Sequence, residues 1–366
     1  MCKVQEIVSR KKYDMLDTRV KEAYELGAEK IFANDVLLSE PGWTLFELNF
    51  KNNEITFIDV GENANMFLAP FSYFSQTDSA KRLAVLSLQE FLDVTAALPV
   101  PENLIHIYNP GHCGSTLLHN IFNESGEAWS LSEPHFGFDV CVYADALPSS
   151  LRVKIMQACL KCISYFPHAR DRRFLVLKHF SQSTKYYEEW QQAHPSTTNL
   201  YLHRNAVDWC NSVYGFVQRE GLPTPMPLEM RQFVWWIMTG GLPESLARDL
   251  TDFDGGDLKF VDIAAAAWGI HTQQFHRARS SGMKFITTDY IELNTNRRET
   301  VVRLLEACGL PSSCADRALK AFNRDSHEGT RTSHEKAVEL MSDEARQRVR
   351  KILSNSRLAI DPDIRL

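Results

Sequence analysis

The stretch LIHIYNPGHCGSTLLHNIFNES, residues 104–125, decides the fold. Its apolar start, LIHIY, predicts a strand over 104–108, and PGHCGS predicts a turn. TLLHNIF then carries apolar residues at helical spacing until Ser125 and Gly126 close it. A strand that turns sharply into a helix is the opening unit of a parallel sheet covered by helices. Working outward, AWSLSEP (128–134), FLVLKH (174–179), NLYLHR (199–204) and KFITTD (284–289) predict four further strands, separated by helical stretches. The fold class expected is therefore α/β, a three-layer parallel sheet flanked by helices, in which ligands sit outside the carboxyl ends of the strands.

Upstream of this core the pattern differs. Residues 4–32 place Val4, Ile7, Val8, Tyr13, Leu16, Val20 and Leu26 at roughly helical spacing, which predicts an amphipathic helix. TLFELNF (44–50) and ITFIDV (55–60) flank a turn-rich KNNE and predict a hairpin. A second helix is expected over 79–97, before the punctuation of Pro99 and Pro101. The expected organisation is an N-terminal α+β extension, residues 1–100, and an α/β core, residues 101–366. An insertion around 218–260 interrupts the core with four prolines and the apolar helix QFVWWIM. Trp235 and Trp236 in that helix fit either a lid or a core helix.

The chain has 366 residues, 44% of them hydrophobic and 23% charged, the composition of a folded globular protein. Forty Lys and Arg against 46 Asp and Glu give a net charge of −6, so no global field holds a polyanion, and nucleic acid is excluded as a partner. No run of about 18 apolar residues suggests a membrane span or signal, which reads as a soluble cytoplasmic protein with no membrane partner. Eight scattered cysteines read as reduced thiols. Cys159 and Cys162 form a single CxxC, more in keeping with buried thiols than with zinc, and no metal is expected.

Two segments after strands carry anion chemistry. In the first, Gly111, His112, Cys113, Gly114, Ser115 and Thr116 open a helix, whose unpaired N–H groups and positive dipole end suit a phosphate; the glycines allow close approach and the hydroxyls add donors. The lysine that a nucleotide-triphosphate loop needs before its hydroxyl pair is missing, because Ser115 follows Gly114 directly. In the second, YLHRNAVDWCNS, Arg204 and Ser212 stand eight residues apart and both can face the sheet's carboxyl edge, Arg204 as a planar multi-donor. The competing reading is an Arg204–Asp208 ion pair.

Together these segments resemble the sulfotransferases that use 3'-phosphoadenosine 5'-phosphosulfate (PAPS). The family's glycine turn ending in hydroxyl residues is similar to Gly111–Leu117, and its later Arg-Asn/Asp element with a downstream Asp and Ser is similar to Arg204, Asn205, Asp208 and Ser212. The likeness extends over about 103–340, through Trp268, TTDYIEL (287–293) and LLEACGLP (304–311). It also takes in DSHEGTRTSH (325–334), where Ser326, Gly329, Thr330 and Arg331 are similar to the loop that closes over the nucleotide. Three departures stand out: His112 occupies a place where the family often has Lys or Arg, Ala206 replaces a Pro, and an Arg-Lys-Gly triplet is missing from the last loop.

The resemblance implies a P-loop-type fold. It implies transfer of a sulfuryl group from PAPS, which leaves as PAP, to a hydroxyl or amine of a small-molecule acceptor. A homo-oligomer is compatible with it. Glu133 and His179, each just after a strand, are the candidates for the base; Lys178 is a candidate for bridging-oxygen stabilisation and His112 for transition-state support. Tyr290 fits either closure of the site or burial in the sheet, and His135 and His203 read as structural. The rivals are a kinase-like P-loop enzyme and a catalytically silent relative that binds nucleotide or a partner.

Overall fold

Alternating apolar runs and glycine turns give eleven strands among the described residues of the computed structural model, which are 1–10, 21–61, 69–166, 169, 171–219, 221, 227–242, 259–326, 341–355 and 360–364. They are β1 (Cys2–Arg10), β2 (Tyr24–Leu26), β3 (Lys30–Phe32), β4 (Trp43–Asn49), β5 (Glu54–Asp59), β6 (Arg82–Leu86), β7 (Leu104–Tyr108), β8 (Ala128–Ser132), β9 (Phe174–Lys178), β10 (Thr198–His203) and β11 (Ile286–Asp289). The last five form a parallel sheet flanked by helices, in the order β11-β10-β7-β9-β8, as expected for an α/β chain. Its registers include Tyr201 opposite Tyr108 and His203 opposite Asp289.

The chain divides into two units. One comprises Met1–Leu104, Ala128–Leu177 and Glu189–Thr197, and the other Ile105–Glu127, Lys178–Glu188 and Thr198–Leu366. The first unit contains a six-stranded sheet of order β2-β1-β6-β5-β4, with β3 also pairing β1. The expected hairpin is β4–β5, antiparallel with Trp43 opposite Asp59.

Two helical expectations fail here. Residues 2–10 form β1, paired antiparallel with β6 from Lys3–Val85 to Glu6–Arg82, and burial alternates Cys2, Lys3, Val4 in the two-residue period of a strand. Cross-strand pairing and the β-branched Val4, Ile7 and Val8 override the loose helical spacing. Residues 11–20 of that expected helix lie outside the described residues. The helix expected from 79 begins only at Leu88 (Leu88–Ala96), because Arg82–Leu86 is a buried strand between β1 and β5, and Ser87 with Glu90 forms a capping box that starts the helix.

The second unit's core joins the helices Ala206–Arg219, Phe260–Ser280 and Asp343–Asn355 around Ala264, Ala265, Ala266 and Ala267, whose small side chains admit close packing. The expected helix with two tryptophans is Leu228–Thr239; Trp235 is buried in this core and Trp236 is half-buried beside Phe233. Residues 222–226 and 243–258 of the expected insertion lie outside the described residues. All eight cysteines are buried and none is in a disulfide, and burial raises the Cys159 and Cys162 thiols.

Candidate functional site

The turn after β7, Lys178 and the segment from Thr198 onward belong to the second unit. β7 delivers the chain into a turn with three left-handed residues, Gly111 (φ 81), His112 (φ 45) and Gly114 (φ 87). Glycine adopts this region freely, whereas a side-chain-bearing residue there costs roughly 1–3 kcal/mol and persists only where its surroundings fix it. The surroundings do so at several atoms. Asn109 accepts the Gly111 N–H (2.9 Å) and donates to the His179 carbonyl (3.0 Å). The Trp209 indole N–H donates to the Gly111 and Pro110 carbonyls (2.7 and 3.2 Å). Arg204 donates to the His112 carbonyl (3.1 Å).

The helix Ser115–Glu124 starts directly from this turn with Gly114 as its cap residue, so no side chain caps its first N–H groups. Those groups, the dipole and the Ser115 and Thr116 hydroxyls form the anion-receptive end. Two cations stand beside it. Lys178, the last residue of β9 and 1% exposed, donates to the Thr116 hydroxyl at 3.3 Å. Arg204 lies with its guanidinium 4.4 Å from the centre of the Tyr290 ring, and its buried Nε has no hydrogen-bond partner. A buried orphan N–H on a guanidinium is a costly arrangement that an acceptor oxygen would relieve.

Arg204 is not paired with Asp208. Asp208 is held by Asn205, which donates to its carboxylate (2.7 Å) and accepts its backbone N–H (2.9 Å). Ser212 is half-buried on the helix Ala206–Arg219 that Arg204 precedes. Tyr290 closes over the turn: a Cβ at Gly114 would meet its ring at 2.7 Å. Cys113 is fully buried, and burial pushes its thiol up to about 12, so at neutral pH it is a packed thiol rather than a nucleophile. His112 is exposed, its ring 5.2 Å from that of Phe216.

His179 turns its ring inward. It stacks on Tyr108 (4.7 Å, 3° between planes) and lies 2.7 Å by Nε2 from Nδ1 of His106; burial pushes its pKa down to about 3. Ser326 is described and half-buried, while Gly329, Thr330 and Arg331 lie outside the described residues. Glu133 belongs to the first unit, where it follows β8 as a half-buried residue with φ 48. Only three non-glycine residues have positive φ among those described, and two of them, His112 and Glu133, are candidates from the sequence; the third, Asn53, sits in the β4–β5 turn. Asn109 and Trp209 shape the turn without having been singled out. A glycine turn whose carbonyls need donors is the signal that points to such residues, but the sequence does not say which donor arrives.

The described residues contain no group of three or more His, Cys, Asp or Glu able to hold a metal ion, and no described helix is long and apolar enough to cross a membrane. No family model and no curated protein matches the chain. Solved structures do resemble it. A sulfotransferase from Mycobacterium tuberculosis is 13% identical over 86% of this chain and 89% of its own, with a TM-score of 0.41. One from Alicyclobacillus acidocaldarius is 14% identical over 58% of this chain and 83% of its own, with a TM-score of 0.38. A mouse sulfotransferase complexed with PAP is 14% identical over 73% of this chain and 83% of its own, with a TM-score of 0.35.

Proposed function

We propose that this protein is a PAPS-dependent sulfotransferase acting on a hydroxyl or amine of a small-molecule acceptor. One observation carries the reading: a left-handed turn opens an uncapped helix, and Lys178 at the end of β9 and Arg204 just after β10 converge on it with an orphan N–H on Arg204. The lysine missing from the loop is thus supplied by β9, which serves an anion without the loop pattern of nucleotide-triphosphate enzymes.

PAPS would bring a sulfuryl group on a phosphosulfate and leave as PAP. The first-turn N–H groups with Ser115 and Thr116 would hold its phosphosulfate end, and Arg204 and Ser212 its second phosphate, with Gly329, Thr330 and Arg331 assigned to the closing loop. The buried Lys178 ammonium supplies fixed positive charge beside Thr116 in surroundings of low dielectric, where charge that develops on oxygen is stabilised without solvent reorganisation. His112 adds a donor at the loop's exposed tip. Proton acceptance is assigned to Glu133 ahead of His179, because burial makes the His179 imidazole a weak base and its Nε2 already meets His106. A cytoplasmic location belongs to this reading, since buried cysteines in no disulfide suit a reducing compartment.

Thermal-shift measurements test this reading. A nucleotide bound only by the folded state at a hundredfold its Kd stabilises by about 2.7 kcal/mol, which raises Tm by roughly 3 °C in a chain of this length. PAP is expected to do so, with no response to magnesium-ATP; the reverse pattern would assign the site to a kinase-like enzyme. With labelled PAPS and the small-molecule fraction of a cell extract, Glu133→Gln is expected to abolish transfer while PAP binding persists. Unaffected turnover would move the base to His179.

A further inference from the structure

The first unit holds a buried acid–imidazole pair that the proposed reaction leaves without a task. His135 Nδ1 lies 3.1 Å from Asp139 Oδ2, one helical turn on, with the side chains only 4% and 3% exposed. The same oxygen accepts the Leu48 N–H of β4 at 2.7 Å, and the imidazole stacks on Phe46, 5.1 Å away at 20°. A carboxylate only accepts, so the hydrogen is assigned to Nδ1. Burial opposes charging this ring, but Asp139 and Glu47 favour it more strongly, and the pKa lies above the ordinary histidine value. Pairs this deep are often no more stabilising than apolar residues of the same volume, so stability accounts poorly for it.

What the pair fixes is geometry. Glu133, two residues before His135, has a left-handed backbone. On its N-terminal side, the Ser132 hydroxyl donates to the Pro70 carbonyl at 2.6 Å. On its C-terminal side stands Pro134, which gives the helix His135–Tyr143 no side-chain cap, and then the link from His135 through Asp139 to β4. The strained residue is therefore clamped from both sides by atoms of the first 100 residues.

We propose that His135 and Asp139, together with Ser132, are positioning residues through which the N-terminal segment holds Glu133 in its left-handed conformation and fixes the direction of its carboxylate. This rests on the assignment of Glu133 as proton acceptor.

The test compares His135→Phe, which keeps a ring on Phe46 but removes the Nδ1 donor, with His135→Asn, which keeps a donor near that place. Asp139→Asn is the milder second variant should His135→Phe fold poorly. Turnover is measured at saturating labelled PAPS with the small-molecule fraction of a cell extract, and amide hydrogen exchange is followed at Leu48 and over 132–136. His135→Phe and Asp139→Asn are expected to lose about tenfold or more in turnover and to exchange about tenfold faster at those amides. KM for PAPS and the Tm shift with PAP stay unchanged, and His135→Asn recovers most of the turnover. Turnover unchanged despite faster exchange, or exchange unchanged in both variants, overturns the proposal. If the wild-type protein transfers no sulfuryl group, the functional reading fails separately. Exchange then decides the clamp alone: a rise in Asp139→Asn supports it and no rise overturns it.

Discussion

Gly114 concentrates the chemistry of single residues in this protein. Its φ of 87 suits glycine, and a Cβ would lie 2.7 Å from one carbon of the Tyr290 ring. Gly114→Ala is expected to cost about 1–3 kcal/mol in denaturant unfolding and to weaken PAP binding, because both the backbone and the ring over Arg204 must shift. Adding Tyr290→Ala should relieve the clash but not the backbone cost, so a double variant restored to wild-type stability would contradict this account. Gly111 and Gly114 stand in the turn after β7, Lys178 ends β9 and Arg204 follows β10, places that strand-turn patterning makes legible in the sequence. Trp209, 98 residues from Gly111, was not legible in this way, since an indole N–H announces a partner but not its address.

At the scale of elements, short apolar runs buried on both faces, as in β7, β8 and β9, were read as strands, whereas β1, whose apolar residues are interleaved with charges, also fits a loose helical spacing. β7, β8, β9, β10 and the helix Ser115–Glu124 follow the expected bounds to within a residue or two. β1 and β6 were read as helical because their apolar residues also fit a helix, and only their mutual pairing with β5 alongside makes them strands. The junction between β6 and the next helix depends on Ser87, which donates to Glu90 at 2.7 Å, while the Ser87 N–H meets the same carboxylate at 2.9 Å. Ser87→Ala should therefore lower unfolding free energy by about 1 kcal/mol in urea titration, with no change in PAP affinity. A loss below about 0.3 kcal/mol would mean that packing of Phe91, not the cap, sets the helix start.

Taken as a whole, the molecule stores neutral imidazoles in its interior. Burial holds His179 at about 3 and His271 at about 4, both far below an unfolded histidine near 6.5. Folded pKa values depressed in this way give stability that is complete above the unfolded pKa and is lost as pH falls through the window toward the folded values. Unfolding at pH 5 takes up about two protons at these sites, so stability should drop by roughly 2 to 3 kcal/mol per pH unit between roughly pH 6 and 4.5. Urea unfolding across that range checks it, and a flat profile would refute the burial of both rings. His135, with a raised pKa, works in the opposite direction. By itself the sequence determined the parallel α/β class and the glycine turn from β7 into a helix, because a strand, a glycine turn and a helix start are each written in a few adjacent residues. Only the tertiary structure decided that β7 is the central strand, that Lys178 reaches Thr116, that His179 faces inward and that residues 1–10 form a strand. Each of those depends on hydrogen bonds and burial contributed by residues far away along the chain, and no local pattern encodes them.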